Sequence, residues 1–375
     1  MQRRAASLIA MIALASTLVA CGEAPPVEPP LSEEALAAIG KEPGAPDEQL
    51  ARQIDELFTD EALGETRAAL ILYNGEIAAE RYAPGYDEDT RFVSWSMAKT
   101  VTAVMIGMLV ADGQLQLDQS PPIAEWQRPG DPRGAITLRQ LLQMRSGLRH
   151  TEAGDPPYES SEVRMLFLDG RDDMAKWAEE QPLEAEAGAR FEYSSATTVI
   201  LADIAARVLA RGSRDPEVRR QAVSEFLQAR LFEPLGMTSA VPEFDARGTL
   251  IGGSLIHAST RDWAKFGEFL RMGGSAGGAQ LVPRKWIEFM TRPSPRSPFY
   301  GGQTWLNAEA DRTGDALYPI AEPEGLFAAI GHMGQYILVS PRQRLTVVRL
   351  GHSDAEERAV LLRQLNDVIE LYPER

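Results

Sequence analysis

The sequence predicts an α+β fold: a mostly antiparallel sheet covered by N- and C-terminal helices, with an all-helical lobe inserted between its strands. Three observations carry this. Strand-like segments cluster near the start of the chain and again in its last third. The intervening stretch, about residues 115–249, reads as short helices joined by loops. Helical patterns also flank the strand-rich ends, so distant segments must close one sheet and helices must cover it.

Taken in order, the folded part begins near Asp47 with a helix through Asp55–Phe58. Ala68–Tyr73, the Asn74-Gly75 pair and Glu76–Tyr82 form a strand, turn and strand, since Asn-Gly is the dipeptide that a two-residue hairpin turn demands. Val101–Ala111 follows as an apolar helical run, too short to span a bilayer and long enough for a buried core helix. The helical stretch reads as Ile136–Leu142 with a Thr137 cap, Asp172–Glu180, Ala196–Arg211 and Val218–Leu231. Gly252–His257 reads as a strand, and Thr260 as the cap of an amphipathic helix, Asp262–Leu270. Strands are expected at Gln303–Asn307, Gly325–Gly331, Gln335–Ser340 and Leu345–Leu350, and a closing helix at Ala355–Tyr372. The division is therefore 47–114 with 250–375 as an α/β lobe and 115–249 as a helical lobe. A cleft between lobes is the expected place for a site. No internal repeat is found.

The chain has 375 residues and 44% hydrophobic content, enough for a sizeable core. Its net charge of -16 argues against a nucleic-acid partner, which would require a basic surface. Arg3 and Arg4 precede the weakly polar-to-apolar run Ala5–Ala20, the arrangement of an export signal at residues 1–20. That run ends Leu18-Val-Ala-Cys21 and resembles the lipobox of bacterial lipoprotein precursors. The resemblance implies cleavage before Cys21, its lipidation and acylation of the new terminus, with Gly22 pointing to the outer membrane, facing the periplasm. A plain secretory signal or an uncleaved anchor is the alternative. Cys21 is the sole cysteine, so an internal disulfide and a thiol enzyme are excluded. Loss of residues 1–20 removes two arginines and no acids, taking the charge from -16 to -18. Residues 21–46, rich in Pro, Glu, Ala and Gly, read as a disordered tether.

Ser96-Met-Ala-Lys99 stands at the head of the apolar helix. Residues i and i+3 share a helix face, which sets the Ser96 hydroxyl beside the Lys99 amine. A partly desolvated lysine there is expected to have a lowered pKa and to accept a proton from the hydroxyl. Two further segments could meet it: Phe191–Ser195, which carries Tyr193 ahead of a helix, and Ile330-Gly-His-Met-Gly-Gln335, where glycines flank His332. The backbone N–H of Gln335 could pair with that of Ser96 as an oxyanion hole. His150, Glu152 and Asp155 lie close together, but no spacing resembles a zinc set, so no metal and no cofactor are expected.

These segments, in this order, resemble serine hydrolases of the β-lactamase and penicillin-binding-protein superfamily. The likeness is greatest to its class C-like branch of esterases, D-amino-acid peptidases and 6-aminohexanoate-oligomer hydrolases, over about residues 50–372. It implies an α/β/α sandwich, with Ser96 as nucleophile, Lys99 and Tyr193 as acid/base groups, and the amides of Ser96 and Gln335 as the oxyanion hole. By the same resemblance Ser195 fills the third place of a Tyr-x-Asn motif, and His332, Met333 and Gly334 fill a Lys-Thr-Gly triplet, so that Ser195, His332 and Gly334 face substrate. Ser195 is shorter than Asn, which weakens the expected bond to Lys99. His332 removes a permanent positive charge, which turns the expectation from β-lactams towards small uncharged or amine-bearing esters and amides. The alternatives are a D-Ala-D-Ala peptidase or β-lactamase, and a non-catalytic protein of the same fold that binds cell-wall fragments.

Overall fold

The computed structural model describes residues 30–308 and 323–374. The export signal, Cys21 and the first part of the expected tether therefore lie outside the described residues. From Leu31 onward the chain forms one compact unit.

The helices are α1 (Glu33–Ala37), α2 (Asp47–Thr59), α3 (Ala98–Ala111), α4 (Leu138–Leu142), α5 (Ser161–Phe167), α6 (Met174–Glu179), α7 (Ser195–Leu209), α8 (Pro216–Leu227), α9 (Glu233–Leu235), α10 (Thr260–Arg271), α11 (Arg284–Met290) and α12 (Ala355–Glu370). The strands are β1 (Glu65–Tyr73), β2 (Glu76–Tyr82), β3 (Arg91–Val93), β4 (Val241–Pro242), β5 (Ile256–Ser259), β6 (Ser275–Ala276), β7 (Ala279–Gln280), β8 (Trp305–Leu306), β9 (Phe327–Gly331), β10 (Gln335–Ser340) and β11 (Leu345–His352).

The main sheet runs β2-β1-β11-β10-β9-β8, and every pairing in it is antiparallel. Its centre joins the two ends of the chain, with Leu70 opposite Val348 and Tyr73 opposite Leu345. Alternation then sorts side chains onto two faces. Ala69 and Ile71 of β1, with Leu338 and Val347, pack under Leu50, Ile54 and Leu57 of α2 and Leu361, Leu365 and Val368 of α12. Leu70 and Leu72, with Ile337, Val339 and Val348, face α3, α7 and α10. The result is the helix–sheet–helix sandwich expected from the sequence. Asn74 (φ 54°) and Gly75 (φ 86°) both take the left-handed conformation that their two-residue turn requires.

Helices α4–α8 lie between β3 and β4 in the chain. Their centre is α7, buried from Ser195 through Ala206, which is why its sequence is apolar on all sides. Within it Asp203 is held by the guanidinium groups of Arg207 and Arg219. Pairing of this kind is what allows a carboxylate to stay ionised when buried.

Three expectations need correction. The tether is not disordered throughout: Ser32 caps α1 by accepting from the N–H of Ala35 (3.1 Å), and the backbone then bonds β2, Gly40 N–H to Ala78 O (2.8 Å) and Glu80 N–H to Ala38 O (2.9 Å). Small residues suffice here, because a sheet edge rewards backbone pairing more than bulk. Gly252 and Gly253 form a turn rather than the start of a strand; β5 begins at Ile256. Finally, Ser259, not Thr260, caps α10, accepting from Asp262 N–H at 3.3 Å.

Helix α3 is buried at twelve successive positions, Ala98–Leu109, and touches its neighbours closely. A Cβ added at Gly107 would lie 2.3 Å from Nε1 of Trp286, whose indole donates to Ala103 O at 3.0 Å. We expect Gly107→Ala to destabilise the protein by about 1–3 kcal/mol through overpacking, read as a lower thermal midpoint; a midpoint equal to or above the wild type would contradict this packing.

Candidate active site

Strand β3 delivers the chain to Ser96. Ser94, fully buried, donates its N–H to Ile256 O (2.8 Å) and accepts the Ile256 N–H on its Oγ (3.1 Å). That anchorage ties the approach to β5. Trp95 then adopts φ 45°, a left-handed conformation costing a bulky residue on the order of 1–3 kcal/mol. Ser96 sits in a single tight turn, Trp95–Met97, that runs straight into α3. Its hydroxyl is thus partly exposed at the positive end of a buried helix.

Lys99 lies one turn on and is 1% exposed. Its ammonium donates to Ser96 Oγ (2.7 Å), to Ser195 Oγ (2.7 Å) and to the carbonyl of Gly253 (2.9 Å). The glycine turn exists to make that carbonyl available. A Cβ at Gly252 would come within 2.4 Å of Thr102 Oγ1, and one at Gly253 within 2.9 Å of Ser195 O, so only glycine lets this backbone pass between α3 and α7. The bond from Ser195, doubtful for so short a side chain, is made because α7 begins at that residue.

The expected fall in the Lys99 pKa does not occur. Burial pushes it down, but its contact with Tyr193 and the negative charge of the Glu152 and Glu162 carboxyl pair outweigh that and hold the amine above its ordinary value. Two of those groups were not anticipated as site residues. Glu152 accepts the Ser195 N–H on Oε2 (2.6 Å) and the Ser195 hydroxyl on Oε1 (2.6 Å), and lies 3.6 Å from the ammonium. Glu162, on α5, lies 3.0 Å from the same hydroxyl. Burial and the negative charge of Glu152 push Glu162 up to about 7. The sequence signal for both was weak, because Glu152 stands in a polar loop and Glu162 lies in the first turn of a seven-residue helix too short to show a period.

Tyr193 reaches the cluster from just before α7. The Lys99 ammonium lies 4.8 Å from its ring centroid. Burial pushes the phenol up, against the lowering effect of the Lys99 charge and of hydrogen bonding to Ser96 and Lys99, so it is held as the neutral acid. Its ring meets Tyr300 edge-on (5.6 Å) and lies 5.2 Å from Trp305, which makes one wall aromatic.

The other wall is the β9–β10 turn. A Cβ on Gly331 would lie 2.3 Å from Ser94 O, so the turn presses directly on the segment that presents Ser96. His332 meets Trp95 edge-to-face at 5.6 Å. Burial of its ring, with the charges of Arg358 and His352, holds His332 below its usual value. Gln335 opens β10, and its side chain locks the turn by donating to His332 O, Met333 O and Gly351 O. Gly334 (φ 81°) gives its carbonyl to Arg349 (3.0 Å); a Cβ there would meet that guanidinium at 2.8 Å. Ser96, Lys99, Tyr193 and Ser195 thus converge on one point, with His332, Gly334 and Gln335 in the adjoining turn. Among the described residues no cluster of His, Cys, Asp and Glu is arranged to hold a metal ion.

The family described as Beta-lactamase matches residues 60–369. The chain belongs to the beta-lactamase family. The 6-aminohexanoate-dimer hydrolase of Paenarthrobacter ureafaciens is 27% identical over 343 residues, which cover 87% of this chain and 79% of that one. Esterase EstB of Burkholderia gladioli is 29% identical over 223 residues, 52% of this chain and 53% of the esterase. Among solved structures, one described as a 6-aminohexanoate-dimer hydrolase from Bacillus anthracis superposes with a TM-score of 0.69 at 22% identity, covering 86% of this chain and 83% of the other. The family and these relatives make this protein a serine hydrolase of the superfamily.

The loop carrying Glu152 is pinned by His150. That buried ring bridges Thr197 Oγ1 (3.3 Å) on α7 and Ala178 O (3.2 Å) on α6. Burial pushes His150 down to about 4, against the raising effect of the Ala178 carbonyl. The unfolded chain therefore binds a proton, at its ordinary value near 6.5, that the folded chain refuses until about pH 4. Stability from this group is full above pH 6.5 and lost as pH falls towards 4. We expect the thermal midpoint to fall across that window, and to fall less steeply in His150→Gln; parallel wild-type and variant curves would refute the assignment.

Proposed function

We propose that this protein cleaves small ester or amide bonds through a covalent acyl-Ser96 intermediate, with Lys99 and Tyr193 moving the protons. The observation that carries this reading is the 2.7 Å bond between Lys99 Nζ and Ser96 Oγ, made at a helix head with Tyr193 over the same ammonium. Ser96 Oγ attacks the acyl carbon while its proton passes to the Lys99 and Tyr193 side. The oxyanion lies against the backbone N–H groups of Ser96 and Gln335, which offset the charge as it develops. The Tyr193 phenol, held neutral, gives its proton to the leaving group. Water then attacks the acyl carbon and frees Ser96.

Two features favour simple esters and amides over β-lactams. The neutral His332 offers no fixed charge to a substrate carboxylate. The aromatic rings of Tyr193 and Trp305, backed by the buried Tyr300, suit an apolar acyl or amine chain. The relatives' names as an amide hydrolase and an esterase are consistent with this.

The test is labelling by a fluorophosphonate probe together with turnover of p-nitrophenyl acetate, p-nitrophenyl butyrate, nitrocefin and a D-Ala-D-Ala peptide. Labelling and ester turnover should vanish in Ser96→Ala, and Tyr193→Phe should lose roughly 10²–10⁴-fold in rate, as expected for a proton-transfer group. Nitrocefin cleaved faster than the esters would overturn the substrate reading. Absence of labelling would favour a silent binding protein.

The export signal and the Leu18–Cys21 motif support a lipid-anchored protein on the outer membrane, facing the periplasm. In a Gram-negative host fed labelled palmitate, the full-length chain should take up label and partition with membranes, and Cys21→Ala should do neither; label retained in the variant would refute the anchor.

A further inference from the structure

Lys99 presents a chemical difficulty for the function proposed above. A lysine that is to receive the Ser96 proton must first give one up, yet the charges around it keep it an ammonium. The groups behind it supply a route. Lys99 Nζ donates to Ser195 Oγ at 2.7 Å, and that hydroxyl donates onward to Glu152 Oε1 at 2.6 Å, with Glu162 Oε1 at 3.0 Å. A hydroxyl can accept one proton while releasing another, which the carboxamide of an asparagine does poorly. We propose that Ser195 and the Glu152–Glu162 pair form a proton relay that withdraws a proton from the Lys99 ammonium ahead of acylation and returns it afterwards.

The step balances without any outside reagent. Lys99 passes N–H to Ser195 Oγ as Ser195 passes its O–H to a carboxylate, leaving a neutral amine, an intact serine and one carboxylic acid. The amine then takes the Ser96 proton as Oγ bonds to the acyl carbon. After the leaving group departs with the Tyr193 proton, the Lys99 ammonium reprotonates the phenolate, and the stored proton then returns through Ser195 to the Lys99 amine. The pair suits storage because two carboxylates facing one hydroxyl share a proton readily. It also remains in exchange with solvent, since the Glu152 side chain is 24% exposed. The groups facing this relay are Lys99 from α3, Tyr193 ahead of α7, Glu162 from α5 and Glu152 from its loop, while Tyr300 and His332 feel the Glu152 charge.

The inference rests on acylation of Ser96 and is tested by a readout of its own. Glu162 titrates near 7 because it is buried and because Glu152 is charged. Below that value the pair already shares one proton and draws less readily on Lys99, so acylation should slow as pH drops. Glu152→Gln removes the charged neighbour, Glu162 then ionises more easily, and the acid limb of the labelling rate should move down by about one pH unit or more. Glu162→Gln should move it in the same direction. Ser195→Asn keeps a polar side chain but breaks the relay, and should slow fluorophosphonate labelling about ten-fold or more with little change in ester KM. Acid limbs of both glutamine variants coincident with the wild type, or wild-type labelling in Ser195→Asn, would overturn the relay. If the wild type fails to label, the acyl-enzyme reading falls and the relay with it. A wild type that labels, a dead Ser96→Ala and unshifted limbs would overturn the relay alone.

Discussion

A buried ammonium cannot stand alone, and the site is organised around that constraint. The Lys99 charge sits in a nearly dry interior, where an unpaired cation would cost several kcal/mol. It is satisfied by groups drawn from four stretches of chain: Ser96 in the turn that leads into α3, Ser195 at the head of α7, the Gly253 carbonyl and the carboxylate of Glu152. Each of these reaches the lysine only if its own segment is correctly placed. The solvation needs of one side chain therefore assemble the helical part of the fold against the sheet part, and the nucleophile is one of its ligands.

The sheet supplies the rigid frame for this assembly. Its centre is the pairing of β1 with β11, residues nearly three hundred positions apart whose docking carries a large loop-closure entropy. Once that pair is formed, β10 and β9 follow, and their connecting turn is carried against the Ser94–Ser96 segment. Thr66 of β1 and Ser353 beyond β11 both hold Arg349, whose remaining nitrogen holds the turn.

Much of this was legible in the residues. The Asn74-Gly75 pair marks a turn that only left-handed residues can make, and Ser96 and Lys99 share a helix face by spacing alone. The closing helix α12 shows its apolar stripe, and its actual cap is Asp354, one residue before the expected start. What was not legible has a physical reason in each case. Composition marked residues 21–46 as unable to bury apolar surface, but Ser32–Ala38 and Gly40 gain their order from backbone bonds to a strand edge, which leave no mark on composition. The lysine pKa was misjudged because sequence reveals burial and not the charges that gather around it. Glu152 and Glu162 belong to a loop and a short helix that meet only in three dimensions.

Arg349 joins the centre of the sheet to the β9–β10 turn. Its guanidinium is fully enclosed and, among the described residues, hydrogen-bonds to neutral oxygens of a threonine, a serine and the Gly334 carbonyl, while the charges of Glu357 and Glu65 act on it without a direct bond. Burial draws its pKa down to about 10. Because one group holds Thr66, Ser353 and Gly334 together, the position of the turn that begins at Gly331 is coupled to the centre of the sheet. The strands and the mouth of the pocket are thus latched by a single side chain.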